Sequence, residues 1–199
     1  FDNFLALQAA GVTGAESIGG VFYFTNAFDT KTQGADIVAT YDMDWDGGAS
    51  TTLTGSINYN TTEFNSEVND LFNVESQFDF ENGLPEWRGV FTVVHETGPF
   101  RFTGRANYYG EYENSNSSVV DGTRIIDRIQ EFDPVVQFDI EGAYDVSDVL
   151  TFALGVRNVT DEYPDPGTIG ETCCGRIYRS DSIVDWQGGF YYAKAVAKF

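Results

Sequence analysis

The feature that most constrains this chain is a two-residue alternation of apolar and polar side chains that recurs down most of its length. From Ile37 to Trp45 one set reads Ile37, Ala39, Tyr41, Met43 and Trp45, and the interleaved set begins at Asp36 and runs Val38, Thr40, Asp42 and Asp44. The same split separates Leu53, Gly55, Ile57 and Tyr59 from Thr52, Thr54, Ser56 and Asn58. It separates Phe100, Phe102, Gly104, Ala106 and Tyr108 from Arg101, Thr103, Arg105 and Asn107. Val136, Phe138, Ile140, Gly142 and Tyr144 oppose Gln137, Asp139, Glu141 and Ala143, and Leu150, Phe152, Leu154 and Val156 oppose Thr151, Ala153, Gly155 and Arg157. Tyr191, Ala193, Ala195, Ala197 and Phe199 close the chain against Tyr192, Lys194, Val196 and Lys198. Successive side chains point to opposite faces only in a β-strand, so each run predicts a strand with one apolar face. Weaker runs at Val21–Asn26 and Trp87–Glu96 bring the expected number to about eight.

A soluble sandwich also alternates, but its strands usually have five or six residues. Several runs here last about ten, the length a tilted strand needs to cross a bilayer. Aromatics reach 16% and gather near strand ends, at Tyr41, Trp45, Trp87, Tyr108, Tyr109, Tyr144 and Tyr191, as in the interfacial girdles of transmembrane barrels. Connections alternate in length, except that one on the long side, near Phe28 to Gln33, is short and is read as a tight extracellular hairpin. Short turns follow Trp45, Glu96 and Tyr144, whereas long polar stretches fill Thr61 to Pro85, Glu113 to Pro134 and Thr160 to Gln187. The fold expected is all-β: an antiparallel transmembrane β-barrel segment of about eight strands. Leu5, Leu7, Ala9, Ala10 and Val12 suggest a short apolar helix or turn ahead of the first strand. No apolar run is long enough for a spanning helix. The chain opens at Phe1 without a secretory leader, so a targeting signal is expected upstream or already removed.

The balance of 31 acidic against 11 basic residues, a formal charge of −20, argues against nucleic-acid binding, which needs clustered Lys and Arg. It suits a solvated face or one that collects cations. No covalent chemistry is indicated: His95 is the lone histidine, and neither a nucleophile elbow nor a phosphate loop is present. Asp42-Met43-Asp44-Trp45-Asp46-Gly47 copies half of a calcium loop, but Leu53 stands where the bidentate Glu is required, so no metal site is expected. Adjacent Cys173 and Cys174 cannot staple a loop in the ordinary way; a strained vicinal disulfide, free thiols or a bond to another cysteine stay open. No catalytic residue and no cofactor are expected.

The predicted inner face carries Asp36, Asp42, Asp44, Arg101, Arg105, Asp139, Glu141, Arg157, Lys194 and Lys198. These are read as a mutually satisfied polar lumen, or as contacts for a plug or a passing ligand. Arg on the lipid side would cost about 2–4 kcal/mol at the midplane, so they should face inward. Terminal Phe199, with Tyr191, Ala193, Ala195 and Ala197 on the same face, resembles the signal read by the barrel-assembly machinery through strand addition. Phe64, Phe72, Phe78 and Phe80, interleaved with Glu and Asp in a long connection, are candidate ligand contacts.

Four segments in order resemble one family. Phe22-Tyr23-Phe24-Thr25-Asn26-Ala27-Phe28-Asp29-Thr30 followed by Thr32-Gln33-Gly34-Ala35-Asp36 is similar to a strand pair of TonB-dependent outer-membrane receptors. Leu84-Pro85-Glu86-Trp87-Arg88 resembles the strand start after their long loops. Gly155-Val156-Arg157-Asn158-Val159-Thr160-Asp161-Glu162-Tyr163-Pro164 is similar to the segment before their final loop, and Gly188 through Phe199 to their closing strand, although Phe190 stands where an Arg is usual. The resemblance implies a 22-stranded barrel around a plug, in the outer membrane of a Gram-negative bacterium. It implies energy-coupled uptake of a scarce nutrient such as a ferric siderophore, with TonB reached through the plug, the lipid of the outer membrane around the wall and a metal chelate or other small molecule as ligand. Residues 1–199 would then be the C-terminal part of the barrel, without plug or N-terminal strands. Two other readings stand beside it: a self-contained eight-stranded barrel with a structural or adhesive role, and a soluble acidic β-sandwich that binds a ligand.

Overall fold

The computed structural model describes residues 7–13, 28–67, 72–168, 176–179 and 182–198. The strand expected at Val21–Asn26, the terminal Phe199 and the Cys173-Cys174 pair lie outside them. The described fold is all-β and antiparallel. Seven strands form one open sheet in the order β1 (Thr30–Trp45), β2 (Ala49–Phe64), β3 (Trp87–Thr97), β4 (Phe100–Tyr109), β7 (Val135–Ser147), β8 (Leu150–Arg157) and β9 (Phe190–Ala197). A separate hairpin, β5 (Tyr112–Val120) with β6 (Thr123–Phe132), is inserted between β4 and β7, and a helix, α1 (Val74–Asn82), lies between β2 and β3. Among the described residues the barrel is not closed, and β1 and β9 are the sheet's edges.

The ladders carry the alternation across the seven strands, with one register shift, between Asp145 and Ser147 at the short-turn end of β7. Leu53 pairs with Tyr41 on one side and Val93 on the other, and the row continues through Gly104, Ile140, Val156 and Tyr191. One sheet face is therefore apolar and the other polar, because a one-residue slip in any pairing would have exchanged them. The apolar face has no protein packed on it among the described residues: Ile37, Leu154 and Tyr191 are 65, 70 and 77% exposed. Such a contiguous apolar surface calls for lipid or another apolar covering. No described helix is long and apolar enough to cross a membrane, and the strands are the spanning candidates.

The two ends of the sheet differ. At one end the chain reverses in tight turns, after Trp45, at Gly98-Pro99 and at Asp148-Val149. At the other end lie the connections 65–86, 110–134 and 158–189. The expected long stretches are partly regular structure. The first is shortened by β2, which runs on to Phe64, and contains α1; the second is the β5–β6 hairpin. β1 likewise starts at Thr30, well before the alternating run, and pairs with the extension of β2 from Thr30↔Phe64 onward, so Thr30 to Gln33 is strand and not the tight hairpin expected there. Most of the buried side chains sit at this long-connection end, among them Phe64, Tyr112, Asn114, Ser115, Gln130, Phe132 and Asn158, while Thr51, Ala143 and Ala153 are buried within the sheet. The core of the described protein is thus in its connections, and the sheet below is a wall.

Candidate functional site: the polar face and the connection platform

Asn73 starts α1 by accepting the N–H groups of Glu75 and Ser76 at 3.0 and 3.1 Å, which satisfies two of the helix's free donors. The helix then docks through its acids. Asp79 accepts both the N–H and the hydroxyl of Ser115, at 2.6 and 2.9 Å, and Ser115 is 2% exposed. Glu75 accepts from Ser117 and faces Arg124 at 3.9 Å, and Glu81 accepts the Phe64 N–H at 2.8 Å. Beneath the helix, Phe28, Phe64, Phe72 and Phe80 pack ring on ring, with centroids 4.3 Å apart for Phe28–Phe72 and 4.7 Å for Phe64–Phe72. Three of the four candidate ligand-contacting phenylalanines are therefore engaged with one another, with Phe80 keeping an exposed edge and Phe78 outside the ring cluster.

The hairpin joins the next connection. Tyr112 and Phe132 stack at 4.4 Å. Gln130 donates to the Pro166 carbonyl and accepts the Thr168 N–H, both at 2.8 Å, and Asp165 accepts the Asp133 N–H at 2.9 Å. The connection after β8 is in turn folded by its own motif. Asn158, at φ 50°, exchanges bonds with the backbone of Glu162 at 2.7 and 2.9 Å, and Asp161 accepts the Gly189 N–H at 2.7 Å, which fixes the approach to β9. The family-like segments Arg157–Pro164 and Gly188-Gly189 thus meet in one hydrogen-bonded knot. The Asp161 carboxylate also takes the Tyr163 phenol as donor, and this bond and the nearby negative charge raise the Tyr163 pKa above the usual tyrosine value.

Between the end of α1, the tops of β3 and β4 and the base of the hairpin lies a cavity of about 630 Å³. Glu81, Glu86, Glu111, Glu113, Glu131 and Asp133 line it, alongside Trp87, Tyr108, Tyr112 and Phe132, with no basic side chain in its wall. Sequence reasoning does not single out this cavity. Its carboxylates come from three separate stretches, and only the hairpin brings them together.

All ten of the basic and acidic residues assigned to the inner face lie on the polar face of the sheet by register. They do not form one network. Glu141 accepts from Tyr192 at 2.8 Å and from Lys194 at 3.1 Å, and the Arg157 guanidinium lies over the Tyr192 ring at 5.7 Å. Arg105 is opposite Asp139 in the ladder, but Asp139 accepts from Asn107 at 3.0 Å and the Asn158 N–H at 2.9 Å. Arg101 pairs with Glu96 at 2.7 Å, a partner absent from the expected set. Asp36 accepts from Asn58 and Asp42 from Thr52, both at 2.6 Å. Asp42 and Asp44 extend along a strand instead of wrapping an ion, and Lys198 continues the polar face at the short-turn end. Tyr191, Ala193, Ala195 and Ala197 share the apolar face of the edge strand β9.

No match was found among curated proteins or among solved structures. A family profile described as TonB dependent receptor-like, beta-barrel, matches residues 1–159, most of the chain and every described strand except β9. With a face fit for lipid, a polar opposite face and long connections gathered at one end, the chain belongs to the TonB-dependent receptor-like β-barrel family, a family of outer-membrane receptors and transporters.

Proposed function

We propose that this chain is part of the barrel wall of a receptor that takes up a scarce nutrient, such as a ferric siderophore, across the outer membrane of a Gram-negative bacterium, with energy delivered by TonB through a plug domain. The observation that carries this reading is the division of labour along the strands: a bare apolar belt below, and above it three connections locked together around a carboxylate-lined cavity. In this reading the polar face, from Asp36 to Lys198, lines the barrel interior and contacts the plug. The short-turn end is periplasmic and the platform extracellular. β9, with Tyr191, Ala193, Ala195 and Ala197, presents the strand recognised by the assembly machinery. Ligand contact falls to the platform's outer surface, including Phe78 and the exposed edge of Phe80, while Phe64 and Phe72 support it from beneath. The absence of basic side chains from the cavity wall favours a cationic or metal-bearing ligand over a strongly anionic one.

Uptake of radiolabelled ferric chelates by iron-starved cells tests this. Cells lacking the full receptor should lose uptake of one chelate class, and the full-length gene should restore it. Equal uptake of every chelate with and without the receptor would remove iron from the proposal. Neutralising Glu111, Glu113 and Glu131 to Gln should weaken capture; unchanged affinity would remove the role of the acids.

A further inference from the structure

On the apolar face a groove of about 880 Å³ crosses five strands. Two adjacent rows of the sheet form it, one running from Val93 to Tyr191 and the other from His95 to Ala193. Gly104, Gly142 and Ala193 leave it low between Phe102, Ile140, Leu154 and Val156, which stand in the same two rows. Four interstrand spacings of about 4.8 Å give it a length of about 19 Å.

The groove climbs through the sheet. His95 is two residues from the end of β3, beside the Gly98-Pro99 turn, and Trp87 stands eight residues above it. Leu154 is four residues beyond the short-turn start of β8, and Tyr191 is the second residue of β9, next to the long connections. One end therefore opens near the short-turn boundary of the belt and the other rises toward the long connections.

At the lower end a polar group is held in place. Trp45 donates its indole N–H to the Thr51 hydroxyl at 2.8 Å, and the same hydroxyl lies 2.8 Å from Nδ1 of His95. Thr51 is 8% exposed, and its hydroxyl, which accepts from Trp45, can give its own proton to Nδ1. In that arrangement the neutral imidazole is protonated at Nε2, and the imidazolium carries a proton there as well. Either way His95 offers a hydrogen-bond donor at the mouth of an apolar groove.

We propose that this groove seats an acyl chain of one phospholipid from the short-turn-side leaflet, with the lipid phosphate accepting from His95 Nε2. The length matches: half of a hydrocarbon core of about 30 Å is about 15 Å, and a groove oblique to the membrane normal needs to be longer than that. The occupant is a phosphate-bearing lipid because a chain without a headgroup acceptor would leave the ordered His95 donor facing hydrocarbon. This inference rests on the proposed membrane setting.

The test uses the full-length receptor, purified in mild detergent and supplied with dipalmitoyl phosphatidylethanolamine or with dipalmitoylglycerol, and native mass spectrometry to count retained lipid. The wild type should retain one phospholipid. Gly142→Leu, which fills the floor, should abolish retention of both probes. His95→Ala should lower phospholipid retention about tenfold and leave the diacylglycerol unchanged. Equal phospholipid retention by the wild type and either variant, each shown to be folded by its heat-modifiable migration, overturns the proposal. A wild-type receptor that does not insert into vesicles at all would instead overturn the membrane reading itself.

Discussion

The Tyr192 ring lies across Gly155, its ladder partner in β8, so closely that a Cβ at position 155 would occupy the ring's place. The missing side chain lets the phenol reach over β8 to Glu141 on β7, two strands away, at 2.8 Å. Gly155→Ala should push the ring aside and break that bond, costing about 1–2 kcal/mol; Tyr192→Phe should cost about 1 kcal/mol by the lost hydrogen bond alone. The two effects should be less than additive in the double variant, because they remove the same contact. Denaturant unfolding of the receptor in detergent would measure all three.

The two faces of the sheet give a direct check on orientation. Phe138 of β7 is on the apolar face, and Thr103 of β4 lies on the polar face opposite Glu141. Phe138→Arg should impair folding into vesicles by about 2–4 kcal/mol, and Thr103→Arg should fold nearly as the wild type. Equal impairment by the two would mean that the polar face does not line an aqueous interior.

The seven strands of the sheet are legible in the sequence because a strand with one face in lipid must keep that face apolar from end to end. An apolar residue at every second position, as from Phe100 to Tyr108, suits neither a helix nor a loop. Legibility fails where the chain leaves the belt. Thr30 to Asp36 is polar on both faces, so nothing in its pattern marks it as strand, and its pairing with β2 is fixed by extension from below. The β5–β6 hairpin reads as a loop because Asn114 to Ser118 is polar throughout. A signal is nonetheless present: Asp121-Gly122, both at positive φ, is the dipeptide favoured in two-residue hairpins, and Val119, Val120 and Ile125 flank it. Spacing alone puts the polar set on one face. Its pairings are not legible, since Glu141 reaches Tyr192 and Lys194 across two ladders through side-chain length.

The α1–hairpin junction depends on one carboxylate. Asp79→Ala would leave the buried Ser115 N–H and hydroxyl without their acceptor and should loosen the platform by about 2–3 kcal/mol. Asp79→Asn retains an acceptor oxygen and should lose less. Hydrogen exchange at Ser115 should accelerate in the first and change little in the second, with the sheet amides unaffected in both.

High pH should act on the connection after β8. Tyr163 titrates above the ordinary tyrosine range because its phenol donates to Asp161, so the folded protein keeps this proton where the unfolded chain has lost it. Its contribution is therefore complete below the usual tyrosine pKa and is lost as pH rises through the elevated one. Tyr163→Phe should remove this loss, read as exchange at the Gly189 amide over an alkaline series.

Gly188 beside it tolerates no side chain. Its φ is +71°, and a Cβ would lie 2.5 Å from both Asp161 Oδ1 and the Tyr163 hydroxyl. Gly188→Ala should cost about 1–2 kcal/mol through backbone strain and the displaced Asp161–Gly189 bond, seen as a lower unfolding midpoint.

The face alternation across seven strands, shifted only beside the Asp148-Val149 turn, restricts how such a sequence can change in length. A single residue inserted between Ile37 and Trp45 would turn Asp42 and Asp44 toward lipid and carry Tyr41 and Trp45 to the opposite side, so within the belt residues can be gained or lost only in pairs. The connections at the far end obey no such parity, and that is where relatives of different length can diverge while keeping the same wall.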